Sequence, residues 1–74
     1  MWGQRPYVVS GQFGREKITA MTPKAAAKKY AAKYIHGLRI DLELRTYRNE
    51  LYVYVAETDQ GNVTITVRRA GEGD

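Results

Sequence analysis

The chain of 74 residues contains no cysteine, one histidine and one serine. The missing cysteine excludes disulfides and thiolate metal sites and suits a reducing compartment, so a cytoplasmic location is expected. His36 has no carboxylate close by in sequence, and a single imidazole makes no metal site by spacing. No apolar run approaches the roughly 20 residues that span a bilayer, and no basic segment leads into an apolar one as in a secretion signal. Ser10, His36 and Asp41 are formally a nucleophile, a base and an orienting acid. No nucleophile elbow surrounds Ser10, however, and so short a chain has little room for a pocket. Neither catalysis nor a cofactor is expected. Gly11-Gln12-Phe13-Gly14 is not a phosphate loop, because it lacks the Lys-Ser/Thr pair and opens a strand rather than a helix. Repeats and low-complexity segments are also absent.

What the chain has is a basic surface on an ordinary globular composition. It is 43% hydrophobic and 27% charged, too apolar for a disordered segment. Its length allows one domain with a thin core, since a domain this small buries only about 60% of its unfolded surface. Twelve Lys or Arg face eight Asp or Glu, for a net charge of +4. Residues 70–74 read AGEGD and have nothing to anchor them, which predicts a flexible acidic tail behind a single domain over residues 1–69. Without Glu72 and Asp74, twelve bases face six acids and the body is near +6. Such a body attracts polyanions, although many soluble proteins are basic without binding one.

Periodicity predicts the elements. Residues 7–13 read as a half-buried strand with Tyr7, Val9 and Phe13 on one face, and residues 17–21 as a second strand after a turn at Phe13–Glu16. Thr22-Pro23 is an N-cap followed by proline at the first helical position. The Ala- and Lys-rich stretch over residues 24–36 is then a helix, with Gly37 as its terminator. After Gly37 the period changes to two. Ile40, Leu42 and Leu44 form one apolar set, Leu51, Val53 and Val55 a second, and Val63, Ile65 and Val67 a third. A turn at Tyr47–Glu50 and a three-residue loop at Asp59–Gly61 place Leu44 opposite Val53, Leu42 opposite Val55, Val55 opposite Ile65 and Val53 opposite Val67. Ala26, Ala27, Tyr30, Ala31 and Tyr34 share one helix face, with Ile35 at its margin. The expected architecture is a two-layer α+β domain, ββαβββ, with one helix on an antiparallel sheet and the other sheet face open. The edge to which the first hairpin adds is left open, and so is the position of Trp2.

Two surfaces could carry function. In the register above, Arg45, Tyr52 and Arg68 form one row on the open face, Glu43, Tyr54 and Thr66 the next, and Asp41, Ala56 and Thr64 a third. Tyr47 and Arg48 sit at the adjoining turn. Aromatic faces beside guanidinium groups suit base stacking and phosphate contact. The plainer explanation is that Tyr and Thr are good strand formers and that Arg45 and Arg68 flank Tyr52 as cation–π pairs. Asp41 and Glu43 interrupt the basic surface. The second surface is the helix, where Lys24 and Lys28 line one edge and Lys29 and Lys33 another, with no acid from Pro23 to His36. Like charges one turn apart cost a little helix stability, so a uniform sign carries some information, but a lysine face is commonly just solvated. His36 fits the negative end of the helix dipole.

Ile18-Thr19-Ala20, Ala27-Lys28, and His36-Gly37 leading into Leu38-Arg39-Ile40 resemble a small type I anti-CRISPR protein. More broadly, the layout resembles small accessory proteins of phages and mobile elements. The similarity covers about Lys17 to Val55 through short motifs. The Thr22-Pro23 cap and the Tyr52/Tyr54 pair fall outside it. The resemblance implies a non-catalytic inhibitor that packs one helix on an antiparallel sheet, binds an RNA-guided surveillance complex and occludes a nucleic-acid path. It also implies the host cytoplasm as its location.

The expectation is thus a non-catalytic binding module for nucleic acid or a nucleic-acid-handling complex, acting through Lys24, Lys28, Lys29, Lys33, Arg45, Arg48, Tyr52, Tyr54 and Arg68. The alternative is a protein-interaction or structural module, such as a virion or assembly component. It would bury its open sheet face against a partner or a second copy, with Tyr47, Tyr52 and Tyr54 as anchors. Metal and membrane have no part in either, and the oligomeric state is open.

Overall fold

A computed structural model describes residues 3–35, 41–48, 50–58 and 61–71. Five strands and one helix follow in the order β1 (Arg5–Gly11), β2 (Gly14–Ala20), α1 (Pro23–Tyr34), β3 (Asp41–Arg48), β4 (Leu51–Thr58) and β5 (Gly61–Arg69). The strands form one antiparallel sheet in the order β2-β1-β5-β4-β3, with α1 packed on one face. This is the expected ββαβββ two-layer arrangement. The first hairpin adds to the β5 edge, so β1 becomes an inner strand beside β5. Trp2, His36, Gly37, Ile40 and the acidic residues of the tail lie outside the described residues, as does the side chain of Asp41.

Local chemistry sets the boundaries. Thr22 caps α1 as expected, its Oγ1 accepting the Ala25 N–H at 3.0 Å and its carbonyl accepting the Ala26 N–H at 3.1 Å. The helix is shorter than expected, because Ile35 turns to extended backbone as the C-cap while its N–H still reaches the Ala31 carbonyl at 2.7 Å. Ile35 itself is buried in the core rather than marginal to it. In the first hairpin the turn falls at Gln12-Phe13, two residues earlier than expected, because Gly14 supplies the positive φ of 109° that closes it. β1 therefore stops at Gly11, and β2 starts at Gly14 rather than at Lys17. Gly11 is held for a different reason. A Cβ there would lie 3.1 Å from the Thr64 carbonyl oxygen and 3.4 Å from the Tyr30 ring, which closes over this strand end.

The register of β4 departs from the sequence expectation. Leu44 lies opposite Tyr54 rather than Val53, and Leu42 opposite Ala56 rather than Val55. On its other side Ile65 lies opposite Tyr54, and Val67 opposite Tyr52. A slip of one residue exchanges the two faces of a strand. Tyr52, Tyr54 and Ala56 therefore face the helix, and Leu51, Val53 and Val55 face away from it. Two features produce the slip. Thr58 pairs directly with Gly61, at φ 116°, so the connection is one residue shorter than a three-residue loop. In β3 the register shifts between Leu44 and Thr46, a bulge that leaves Arg45 without a residue opposite. Without it, Leu44 would meet Val55 and Leu42 would meet Glu57 on the open face. The bulge returns both leucines to the helix side, while Tyr47 stays on that side opposite Tyr52.

The core explains why this register wins. The inner face of α1 is Ala26, Ala27 and Ala31 around one large residue, Tyr30, and all four are fully buried. Small side chains let the helix sit close but leave volume above β1, β5 and β4. Tyr7, Val9, Tyr54, Ile65 and Val67 fill it. Valines at 53 and 55 would fill it less well than Tyr54, and close packing penalises the voids. Tyr30 keeps its phenol satisfied by donating to the Gly14 carbonyl at 2.8 Å. The register can be checked with two substitutions of the same kind. Tyr54→Lys should destabilise by more than about 3 kcal/mol, since it removes a buried ring and buries a charge. Val53→Lys should cost about 1 kcal/mol or less. Urea midpoints would decide, and the register expected from periodicity demands the reverse order.

Candidate functional site

The helix is too short to cover the sheet. Twelve residues of α1 span about 18 Å at 1.5 Å per residue. The eight residues of β3 or β4 span roughly 27 Å. Of the five strands, β3 touches α1 least. The uncovered part lies beside the first turn of α1, at the β3–β4 hairpin end of the sheet. A cleft of about 430 Å³ opens there, lined by Arg5, Tyr7, Met21, Thr22, Pro23, Tyr47, Glu50, Tyr52 and Arg69.

Register places these groups. The helix-facing positions of β1 are Arg5, Tyr7, Val9 and Gly11, and those of β5 are Val63, Ile65, Val67 and Arg69. Each apolar column thus ends in arginine at the same end of the sheet, with Tyr7 directly opposite Arg69. Tyr52, opposite Val67, and Tyr47, opposite Tyr52, complete the floor. The Tyr47 and Tyr52 rings lie 4.5 Å apart at 33°, and Tyr52 and Tyr54 lie 6.4 Å apart and nearly parallel. Tyr7 and Tyr54 are buried, Tyr52 is half-buried, and Tyr47 is 55% exposed. The aromatic row therefore runs from the core out to solvent. The Tyr47 phenol titrates above its ordinary range, chiefly because of Tyr52 beside it, through charge and then hydrogen bonding, with Arg69 opposing. Burial, then Tyr52, raises Tyr54. Both phenols are neutral near pH 7 and available as hydrogen-bond partners. The first turn of α1 holds no acid, so its positive end is not offset from within the helix.

Chemically, the cleft joins flat apolar rings to two planar cations, with a single carboxylate, Glu50, among them. Guanidinium groups bind phosphate or carboxylate through two parallel hydrogen bonds. Tyr47 offers a ring face, and Met21, 60% exposed, adds an adaptable thioether at the rim. No group of His, Asp and Glu among the described residues is placed to hold a metal ion. No helix there is long and apolar enough to cross a membrane.

The residues expected from sequence divide between four places: cleft, core, open face and helix. Tyr52 and Tyr54 are not on the open face with Arg45 and Arg68, because the register of β4 turns them toward the helix. Tyr52 instead lines the cleft, while Tyr54 is core. Tyr47 and Arg48 belong to β3 rather than to the turn. Arg48 and Arg68 are on the open face, both opposite Leu51. Arg45, at the bulge, lies 3.9 Å from Glu43. On the helix, Lys29 and Lys33 are tied to β2. Lys29 Nζ donates to the Thr19 carbonyl at 2.7 Å, and Lys33 pairs with Glu16, which also accepts the Tyr34 hydroxyl at 2.6 Å. Lys24 and Lys28 are exposed.

Arg5 and Arg69 were not singled out by sequence reasoning, although the signal was present. Each continues the period of two of an apolar column, Arg5 before Tyr7 and Val9, and Arg69 after Ile65 and Val67.

Fold and cleft together define a small two-layer α+β domain with a half-open aromatic and basic cleft. No protein-family model, curated protein or solved structure matches the chain.

The latch between α1 and β2 gives a pH test. Glu16 titrates below its ordinary value of 4.5, held there by hydrogen bonds from Lys33 and then Tyr34. A carboxylate with a lowered folded-state pKa stabilises the fold fully above its unfolded value, and that contribution is lost as pH falls through the folded one. Thermal unfolding of the wild type should therefore show a loss below about pH 4.5 that Glu16→Gln reduces. Identical acid profiles for the two proteins would show that the latch contributes nothing.

Proposed function

We propose that this chain is a non-catalytic module that binds single-stranded nucleic acid in the cleft beside the first turn of α1. A base stacks on Tyr47 against the Tyr52 ring, and Arg5 and Arg69 take the neighbouring phosphates. The observation that carries this is the exposed Tyr47 ring, paired with Tyr52 at 4.5 Å in a cleft that also holds both arginines. Stacking needs a ring with one face supported and the other accessible, and phosphate needs a fixed cation within a nucleotide's reach. The basic body supports capture of a polyanion, and Lys24 and Lys28 extend the basic surface along the helix next to the cleft. A duplex fits less well, because its bases are already stacked on each other and the cleft is too small to admit a groove.

Fluorescence polarisation with labelled single-stranded DNA, single-stranded RNA and duplex across a salt series tests the proposal. Single strands should bind with a logarithmic affinity that falls linearly with log salt. Tyr47→Ala should weaken binding about tenfold or more at every salt concentration. Arg69→Ala should weaken it and reduce the salt slope by about one. Lys24→Ala and Lys28→Ala should each have a smaller effect, uniform across sequences. Absence of binding at low salt, or full affinity in Tyr47→Ala, would overturn it.

A further inference from the structure

The side of the sheet away from α1 carries an ordered charge pattern. Cross-strand pairing gives its rows. One runs Lys17, Val8, Arg68, Leu51, Arg48, and the next runs Arg15, Ser10, Thr66, Val53, Thr46. Further along the strands lie Thr64, Val55 and Glu43, and beyond them Asn62 and Glu57. The β5–β4–β3 part is thus basic at one end and made of valine and threonine in the middle, and at the other end it carries Glu57 and Glu43, the latter 3.9 Å from Arg45. Leu51 is 37% exposed and Val53 and Val55 are only half-buried, with no second layer above them among the described residues.

We propose that this face is a homodimer interface, with two sheets stacked about a two-fold axis that crosses the strands near Val53 and Val55. Such an axis reverses the strand direction of one copy relative to the other. It sets the basic end with Arg48 and Arg68 over the end with Glu43 and Glu57, twice, and stacks the valine centres on each other. An isologous interface must be self-complementary, and this pattern is so under that operation. Stacked sheets also leave the cleft clear, since it lies on the opposite side, so the dimer does not depend on the nucleic-acid proposal. Strands about 4.8 Å apart and about 25 Å long give a footprint of roughly 360 Å² per copy for β5–β4–β3 and about 600 Å² for all five strands, at or below the small end for specific complexes. The dimer is therefore weak, with dissociation in the micromolar range.

Light scattering on a size-exclusion column, over a concentration series at low salt, should show the mass rising from one chain to two. Arg48→Glu and Glu43→Arg should each raise the dissociation constant at least about tenfold, since like charges then face each other. Combining them in one chain restores opposite charges across the axis and should recover most of the lost affinity. Circular dichroism on each variant would establish that the fold is intact. A monomer at every concentration would overturn the proposal. Single variants that dimerise like the wild type would also overturn it, by pointing to edge-to-edge pairing. So would a double variant no better than its parents.

Discussion

A helix faced with alanine can approach a sheet closely, but it supplies little of the volume that a core requires. In this protein that constraint governs the rest. Ala26, Ala27 and Ala31 leave the sheet to provide the bulk, and it does so with Tyr7 and Tyr54 around the one large helix residue that is fully buried, Tyr30. β4 offers two faces, one with Leu51, Val53 and Val55 and the other with Tyr52, Tyr54 and Ala56. Hydropathy alone favours the first, and packing volume favours the second. Packing wins because Tyr54 fills the space while Ala56 makes room for α1, and because close contact is lost wherever a void remains.

The cleft follows from that choice. With β4 turned, its aromatic row continues past the end of the helix and reaches solvent at Tyr47, across from Tyr52. Arg5 and Arg69 reach the same place because each ends a column that is apolar further in. Cleft and core are thus the same face of the same sheet, divided only by where α1 begins. Thr22 and Pro23 fix that beginning, so the cap that starts the helix also sets the upper wall of the cleft.

The elements were legible in the sequence because their signals are local. Thr22-Pro23 caps a helix whatever lies around it, and the period of two over residues 41–69 needs only the residues themselves. The ββαβββ order and the open face follow from those signals. Register was not legible to the same degree. Whether Asp59–Gly61 is a loop of three residues or whether Thr58 pairs with Gly61 changes which face of β4 is buried, and both readings suit the same residues. The bulge at Arg45 was hidden for a related reason, since it corrects a mismatch that appears only once two strands are paired. Tyr52 was identified as a site residue but with the wrong neighbours. Its true ones, Tyr47 and the two terminal arginines, depend on a register that hydropathy misassigns. Lys29 and Lys33 illustrate a second limit, because a helix read by itself does not show that β2 offers the Thr19 carbonyl and the Glu16 carboxylate to its lysines.

The flipped register also changes what the open face presents. Removing tyrosine from that face removes its rings and leaves valine and threonine between Arg48 and Arg68 at one end and Glu57 with the Glu43–Arg45 pair at the other. On the helix side two arginines and one carboxylate lie among the rings. A one-residue shift in β4 therefore separates the tyrosine row from the open face. The rings gather on one side of the sheet with Arg5 and Arg69, while Arg15, Arg48 and Arg68 remain on the other with Lys17, Glu43 and Glu57.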